Sequence, residues 1–189
     1  MQCKYAIIPK GEITMPHGIA IVGLNGSGKT SLGRALADKL GYLRIDVEDY
    51  YFPSAGEFDH PRGRAEVERL MLADIELHGN FVLSSVCADF PSIEKYYDLV
   101  VYLEAPRELR MDRIRKRSVE RFGERVLPGG DLYESEEDFF AFAARRTPEK
   151  VEGWLSGLTC RVLRLDSSKP ISELVAEAKK YLKIINNFT

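Results

Sequence analysis

The chain has 189 residues, of which 44% are hydrophobic, and this length and composition fit about one globular domain. Its formal net charge is −2, with 27 Lys and Arg against 29 Asp and Glu, which excludes an extended basic surface for nucleic acid. Three widely spaced cysteines without a C-x-x-C pair argue against both a disulfide framework and a zinc site.

Residues 2–15 precede the first strong pattern of the sequence. Residues 2–8 suit a short strand, a turn is predicted at residues 9–11, and residues 12–15 suit a second strand running back along the first. This pattern predicts either a small N-terminal hairpin or an added edge strand. It contains no residue with evident chemistry.

A phosphate-binding loop follows the next strand. Residues 17–22 suit a buried strand, a helix is predicted from Ser31 to Leu40, and residues 23–30 between them fit G-x-x-x-x-G-K-[ST] at every fixed position. The glycines let successive N–H groups turn toward a phosphate chain, at which the positive end of the helix also points. The pattern predicts an ATP site in which Lys29 reaches the outer phosphates and Thr30 binds Mg²⁺. The predicted nucleotide-binding residues are Gly23, Asn25, Gly26, Ser27, Gly28, Lys29, Thr30 and Ser31.

An acidic and aromatic segment comes after the second predicted strand, at residues 42–45. Residues 46–53 hold three carboxylates and three aromatic rings at the carboxyl end of that strand, where open α/β sheets bind ligands. A carboxylate here can accept a proton from a substrate hydroxyl or hold Mg²⁺ through water, and the rings can stack on a planar substrate. The alternative is an acidic solvated loop whose aromatic rings complete the core.

Two short stretches in this region resemble the uridine kinase and phosphoribulokinase group of P-loop kinases. Asp49-Tyr50-Tyr51-Phe52 resembles the group's Asp-x-Phe-Tyr, and Phe58-Asp59-His60-Pro61 resembles its Phe-Asp-His-Pro. The aromatic order is reversed, and Arg62-Gly63-Arg64-Ala65 replaces the group's Asp-Ala-Phe-Asp, which leaves the acceptor open. The resemblance implies that Asp49 takes the proton of the acceptor hydroxyl and that Asp59 binds ribose-type hydroxyls.

The predicted acceptor site combines these stretches with basic residues. A histidine beside a proline at the head of a helix is typically a capping or packing residue, so His60 is expected near the substrate rather than as a catalytic imidazole. The predicted acceptor-binding residues are Asp49, Tyr51, Phe52, Asp59, His60, Arg62 and Arg113.

The third predicted strand lacks the acidic residue that usually helps to hold Mg²⁺. A helix is predicted over residues 65–78 and a buried strand over residues 81–86. Many P-loop kinases end this strand with a carboxylate, but Ser84-Ser85 stands here. Mg²⁺ is therefore expected at Thr30 together with Asp46, Asp49 or Asp89, directly or through water.

An arginine-rich helix follows the strand predicted at residues 98–103. Arg110, Arg113 and Arg117 fall on one helical face, where they can converge on phosphates, although a charge-laced surface helix explains the same run. Residues 113–121 resemble the lid helix of uridine kinases, Arg-x-x-Arg-Asp-x-x-Glu-Arg, with Lys116 and Arg117 as departures. The predicted catalytic residues are Lys29, Asp49, Arg113, Arg117 and Arg121, and the lid is expected at about residues 107–135.

The rest of the chain completes the sheet. Residues 122–135 are expected to form either a flexible lid loop or a plain connector, and a capping box at residues 135–138 predicts a helix ending at Arg146 or at Leu155. A last strand is predicted over residues 159–166, and a final amphipathic helix after Pro170 ends at Ile184.

These elements predict a single domain over residues 1–189. The fold is expected to be a three-layer α/β/α P-loop NTPase of the nucleoside and nucleotide kinase type, with a mainly parallel five-stranded sheet and a helical lid. The leading function is ATP- and Mg²⁺-dependent phosphoryl transfer to a hydroxyl of a small molecule, most simply a nucleoside or sugar-like acceptor. A nucleoside-monophosphate kinase and a slow ATPase acting as a nucleotide-dependent switch are the alternatives.

The expected partners and cellular location are inferred from the membrane and export signals that the sequence lacks. No run of 18 or more apolar residues predicts a membrane span, and the N-terminus lacks the apolar core of an export signal. The sequence therefore predicts a cytoplasmic enzyme, monomeric or homodimeric, that binds a small-molecule acceptor but neither nucleic acid nor membrane.

Overall fold

The computed structural model describes residues 15–52 and 60–186. In this part of the chain five parallel strands form one sheet in the order β2-β3-β1-β4-β5. The predicted α/β fold with a parallel five-stranded sheet is confirmed. The strands are β1 (Gly18–Val22), β2 (Leu43–Asp46), β3 (Phe81–Ser85), β4 (Tyr97–Glu104) and β5 (Arg161–Asp166).

Helices cover both faces of this sheet. They are α1 (Lys29–Leu40), α2 (Val47–Tyr51), α3 (Arg64–His78), α4 (Pro91–Glu94), α5 (Arg107–Phe122), α6 (Tyr133–Arg145), α7 (Glu149–Leu155) and α8 (Ile171–Asn186), with a 3₁₀ turn at Gly123–Val126. Alternate residues of the strands pack on opposite faces, so α3 and α7 share one apolar core while α1 and α8 share the other. None of the helices in the described part of the chain is long and apolar enough to cross a membrane.

The strand order fixes where the site is built. All five residues of the central strand β1 are buried, as expected of a parallel strand covered on both faces. Ser84 of β3 lies opposite Ile21 of β1 on one side and Asp46 of β2 on the other. The phosphate loop, which follows β1, therefore begins beside the carboxyl ends of β3 and β2.

Residues 46–52, the described part of the acidic and aromatic segment, do not form a solvated loop. Asp46 ends β2, and its side chain accepts a hydrogen bond from the Glu48 amide at 3.3 Å, so it caps the short helix α2. Because successive helical residues project about 100° apart, Glu48 and Asp49 point in different directions. This helix decides which carboxylate faces the phosphate loop.

The predicted lid is also more ordered than a loop. After the 3₁₀ turn, α6 begins at Tyr133, two residues before the capping box placed at Ser135, whose hydroxyl donates instead to the Leu132 carbonyl at 3.0 Å. Helices α5 and α6 form a pair with a small apolar core of their own around Ile114, Phe140 and Ala143. The N-terminal hairpin, except for Met15, and the Phe58-Asp59 stretch lie outside the described residues.

Candidate active site

A cavity of about 190 Å³ opens at the carboxyl ends of β2 and β3, directly beside the phosphate loop. Its walls come from three segments that the strand order brings together: the end of the loop, the start of α2 and the end of β3. The lining residues are Lys29, Thr30, Asp46, Val47, Glu48, Tyr51, Ser84, Ser85 and Val86. The cavity thus joins a cation, carboxylates, hydroxyls and an aromatic ring.

Gly26 allows the phosphate loop to pass against α5. It adopts a left-handed backbone with φ of 80°, and a Cβ built on it would lie 2.4 Å from the main-chain oxygen of Arg110. An L-residue here meets both an unfavourable φ and a rigid helix backbone. The glycine is therefore required by the loop's shape and by the close approach of α5.

We expect Gly26→Ala to lower the free energy of unfolding by about 3 kcal/mol, since backbone strain and overpacking each cost about 1–3 kcal/mol. Gly41→Ala is the matched control, because Gly41 also has a positive φ, 70°, but no atom within 4 Å of its Cβ position. It should cost only about 1 kcal/mol. Denaturant unfolding of both variants checks the difference, and equal losses would contradict the role of the α5 contact.

Lys29 points its ammonium group along the phosphate loop. Nζ donates to the main-chain oxygen of Leu24 at 3.1 Å. Burial lowers the pKa of Lys29 from 10.5 to about 8, and Arg117 and Arg146 act in the same direction, while Glu48 and Asp46 oppose them. Among the described residues Lys29 has no carboxylate ion pair, so its charge is available to a phosphate.

The predicted base, Asp49, does not line the cavity. Its side chain is 68% exposed and lies 3.7 Å from the Arg44 guanidinium. Glu48, one residue earlier, lines the cavity together with Asp46. By its position, Glu48 is therefore a candidate proton acceptor beside the predicted Asp49. The sequence signal is Asp46 with Glu48 and Asp49 in the next three positions, a pattern typical of a capped helix start. In such a helix Glu48 and Asp49 point in different directions.

Two of the residues predicted to hold Mg²⁺, Thr30 and Asp46, lie beside the phosphate loop. Both line the cavity, and a hydroxyl with one carboxylate suits an ion that keeps most of its waters. Asp49 lies outside the cavity lining, and Asp89 pairs with Arg64 at 3.4 Å. Within residues 15–52 and 60–186 no group of three or more His, Cys, Asp or Glu side chains forms a metal centre.

The Ser84-Ser85 pair takes the place of an acidic strand end. The Ser84 hydroxyl is buried, donates to the Lys29 carbonyl at 3.4 Å and faces Gly33 of α1, where a Cβ would lie 2.2 Å away. Ser85 donates to the Cys87 carbonyl at 2.8 Å. Ser84 therefore packs between the sheet and α1, at the place where many P-loop kinases have the carboxylate that helps to hold Mg²⁺.

The three α5 arginines predicted to be catalytic lie in different surroundings. Arg113 donates to the hydroxyl of Ser167 at 2.5 Å and to its carbonyl at 2.8 Å, and the Ser167 hydroxyl donates to the Ser27 carbonyl at 2.6 Å. Arg113 therefore braces the phosphate loop against the segment after β5. Arg117 is exposed but close enough to Lys29 to act on its pKa, whereas Arg121 stacks on Phe122 at the far end of α5.

Two further arginines reach the phosphate loop and were not among the predicted site residues. Arg110 is only 4% exposed and donates to the Asn25 carbonyl at 3.2 Å. Arg146, just after α6, donates to Oδ1 of Asn25 at 3.1 Å. The arginine run on α5 predicted the first contact in outline, and the Arg145-Arg146 pair suggests either a contribution to the phosphate site or pairing with the acidic residues before α6. No local pattern linked Arg146 to Asn25, which lies 121 positions away.

The other predicted acceptor residues are only partly brought together. Tyr51 lines the cavity, Phe52 is half-buried and His60 is exposed. Arg62 donates to the Tyr50 carbonyl at 3.0 Å and lies 3.7 Å from Glu66. Asp59 lies outside the described residues, while Ser31 is exposed in the first turn of α1.

Comparison with known proteins agrees with this arrangement. A family model described as an AAA domain matches residues 19–127, from β1 to the turn after α5. Uncharacterized protein YqaC of Bacillus subtilis is 31% identical over 177 residues, covering 89% of this chain and 98% of its own. A putative adenylate kinase of Thermococcus kodakarensis is 30% identical over 178 residues, covering 88% of this chain and 99% of its own.

A solved structure shares the fold over most of its length. The shikimate kinase from Bacteroides thetaiotaomicron superposes with a TM-score of 0.56 at 22% identity, and the match covers 88% of this chain and 98% of that one. The three-layer architecture with its phosphate loop is therefore that of P-loop kinases.

Proposed function

The chain belongs to the AAA domain family, and from that premise we propose that it is an ATP-dependent kinase that phosphorylates a hydroxyl of a small molecule. The observation that carries the proposal is the cavity beside Lys29 and Thr30, which Glu48 and Tyr51 also line. A switch that only hydrolyses ATP needs room for one water, and a cavity of about 190 Å³ beside the phosphate loop has room for more than that, which supports a small acceptor. The carboxylate and the ring suit a nucleoside or sugar-like acceptor.

Each residue at the cavity has its own role in the proposed phosphoryl transfer. Lys29 and the loop N–H groups hold the phosphate chain, and Thr30 with Asp46 would hold Mg²⁺, which neutralises charge on the β- and γ-phosphates when bound. Glu48 accepts the proton as the acceptor oxygen bonds to the γ-phosphorus and the bond to the β-phosphate oxygen breaks. Arg113 keeps the loop in place from α5.

A nucleoside-monophosphate kinase is the second candidate, because the relative from Thermococcus kodakarensis is named a putative adenylate kinase. Such an acceptor brings a phosphate that arginines would bind. Arg62 is engaged by the Tyr50 carbonyl and Glu66, and Arg64 is engaged by Asp89. These contacts favour an uncharged hydroxyl acceptor over a nucleoside monophosphate.

The test is ADP release from ATP and Mg²⁺ against a panel of nucleosides, nucleoside monophosphates, sugars, sugar acids and small vitamins. A kinase should release ADP at least about 100-fold faster with its acceptor than with water, since positioning the acceptor supplies most of the catalysis. Stimulation by monophosphates alone would favour the second candidate. Equal slow release in every sample would reject both kinases in favour of a switch ATPase.

A further inference from the structure

Asn25 occupies a position that the phosphate-loop pattern leaves open, yet arginines from two distant segments bind it. Nη1 of Arg110 donates to its carbonyl oxygen at 3.2 Å, and Nη1 of Arg146 donates to its Oδ1 at 3.1 Å. Arg110 lies in α5 and Arg146 directly follows α6. Asn25 thus ties the phosphate loop to both helices of the α5–α6 pair.

Within the described residues neither arginine forms an ion pair with a carboxylate, although Glu108 acts on Arg110 from a distance and opposes the lowering of its pKa by burial. In the described part of the chain Arg110 donates only to the carbonyls of Asn25 and Ala143, and its buried Nε has no partner. Arg146 contacts only Asn25 and the ring of Phe142. Burial of Arg110 lowers its pKa, and Arg107 and Arg146 lower it further by repulsion. Guanidiniums without a carboxylate ion pair at a phosphate loop attract an anion.

The contacts of Arg146 hold its charge beside the phosphate loop. Its backbone is extended, with φ of −67° and ψ of 131°, so the chain leaves α6 at this residue, and the guanidinium stacks over Phe142 at 5.3 Å. Arg146 is half-buried and close enough to Lys29 to lower the pKa of its ammonium group, which is predicted to reach the outer phosphates. Since Nη1 of Arg146 is held on Asn25 of the same loop, its remaining N–H groups can reach a phosphate bound there.

We propose that Asn25 is a positioning residue whose side chain holds Arg146 beside the phosphate loop, so that the Arg146 guanidinium contacts the terminal phosphate of bound ATP. A guanidinium has five N–H donors, so one can remain on Oδ1 of Asn25 while others bind phosphate oxygens. The inference rests on the proposed function in that ATP is the ligand, but it requires no acceptor.

The experiment measures the affinities of the protein for ATP and for ADP, each with Mg²⁺, by titration calorimetry. Only ATP carries the terminal phosphate, so the ratio of the two affinities isolates the contact. The variants are Asn25→Ala, Arg146→Ala and the double variant, with Arg145→Ala as the control because that neighbouring arginine is exposed. Thermal unfolding of each variant shows whether it folds.

Arg146→Ala should reduce the preference for ATP over ADP by about tenfold, the effect of losing a charge-assisted hydrogen bond. Asn25→Ala should reduce it about threefold to tenfold, and the double variant should lose no more than Arg146→Ala, because Asn25 acts through Arg146. Arg145→Ala should leave the preference unchanged. Arg146→Lys keeps the charge without the fork and should lose part of the preference, which tests the contact even if Asn25→Ala fails to fold.

Two results would overturn the role of Asn25. One is an unchanged ATP preference in Arg146→Ala, and the other is a double variant whose loss equals the product of the single losses. An equal weakening of ATP and ADP by Asn25→Ala would show instead that Asn25 only shapes the loop. A wild-type protein that binds neither nucleotide would refute the proposed function itself, whereas retained ATP binding with an unaffected ratio would refute this inference alone.

Discussion

Lys29→Met should reduce kcat/KM for ATP by about 1,000-fold while the protein remains folded. The ammonium group is the cation that the loop directs along the phosphate chain, and removal of one such preorganised charge costs about 100-fold to 1,000-fold in rate. Methionine keeps a long side chain without the charge. Lys39→Met, an exposed position near the end of α1, is the control and should retain full activity.

The pH dependence of the wild-type enzyme gives an independent measurement of the same group. The pKa of Lys29 is lowered to about 8, so the amine is charged below that pH and neutral above it. Because kcat/KM reports the free enzyme, its value for ATP should fall as the pH rises through about 8. A bound phosphate raises the pKa of the amine, so kcat at saturating ATP should persist to higher pH.

The same titration affects stability with a defined sign. Between about pH 8 and 10.5 the unfolded chain still holds the proton that folded Lys29 has lost, so the free energy of unfolding rises with pH in that window. Lys29→Met should lack this rise. If the variant kept the rise together with wild-type kcat/KM, Lys29 would not be the phosphate-binding cation.

Most of the fold follows from local patterns. The strands are short apolar runs and the phosphate loop matches at every fixed position, so the predicted strands fall within about two residues of the observed β1 to β5. The exceptions include α2, the four-residue helix α4 and the start of α6. The helix α2 has only five residues, too few to show an apolar period. The pattern at Ser135 predicted a capping box, but α6 begins at Tyr133 and the Ser135 hydroxyl donates to the Leu132 carbonyl.

The site was predicted less completely because tertiary contacts, and not local patterns, determine which side chains line it. Sequence placed several carboxylates near the end of β2, but the turn of α2 decides that Glu48 rather than Asp49 lines the cavity. Arg146 meets Asn25 across 121 positions, a contact that depends on the packing of α6 and not on any spacing. Local motifs therefore predicted the nucleotide half of the site, and side-chain direction determines the acceptor half.

Glu48→Gln should lower kcat by about 100-fold or more, the usual contribution of a general base. Glu48 lines the cavity and is close enough to Lys29 to raise its pKa against the effect of burial, so it lies near the cation proposed to bind the phosphates. Glutamine keeps the shape and can still hydrogen-bond the acceptor hydroxyl, but it cannot take the proton. The KM for ATP should change little, because the loop and Lys29 bind the nucleotide.

Two neighbouring carboxylates make this prediction specific. Asp49→Asn should keep kcat within about threefold, because that side chain is exposed and paired with Arg44 at the surface, where ion pairs contribute little. Asp46→Asn should weaken the response to Mg²⁺ and recover partly at higher Mg²⁺, whereas Glu48→Gln should not recover, because a base acts independently of the ion. Steady-state rates over a Mg²⁺ series separate the three variants. A loss in Asp49→Asn as large as that in Glu48→Gln would return the base to Asp49, and would imply that α2 rotates toward the acceptor when the site is filled.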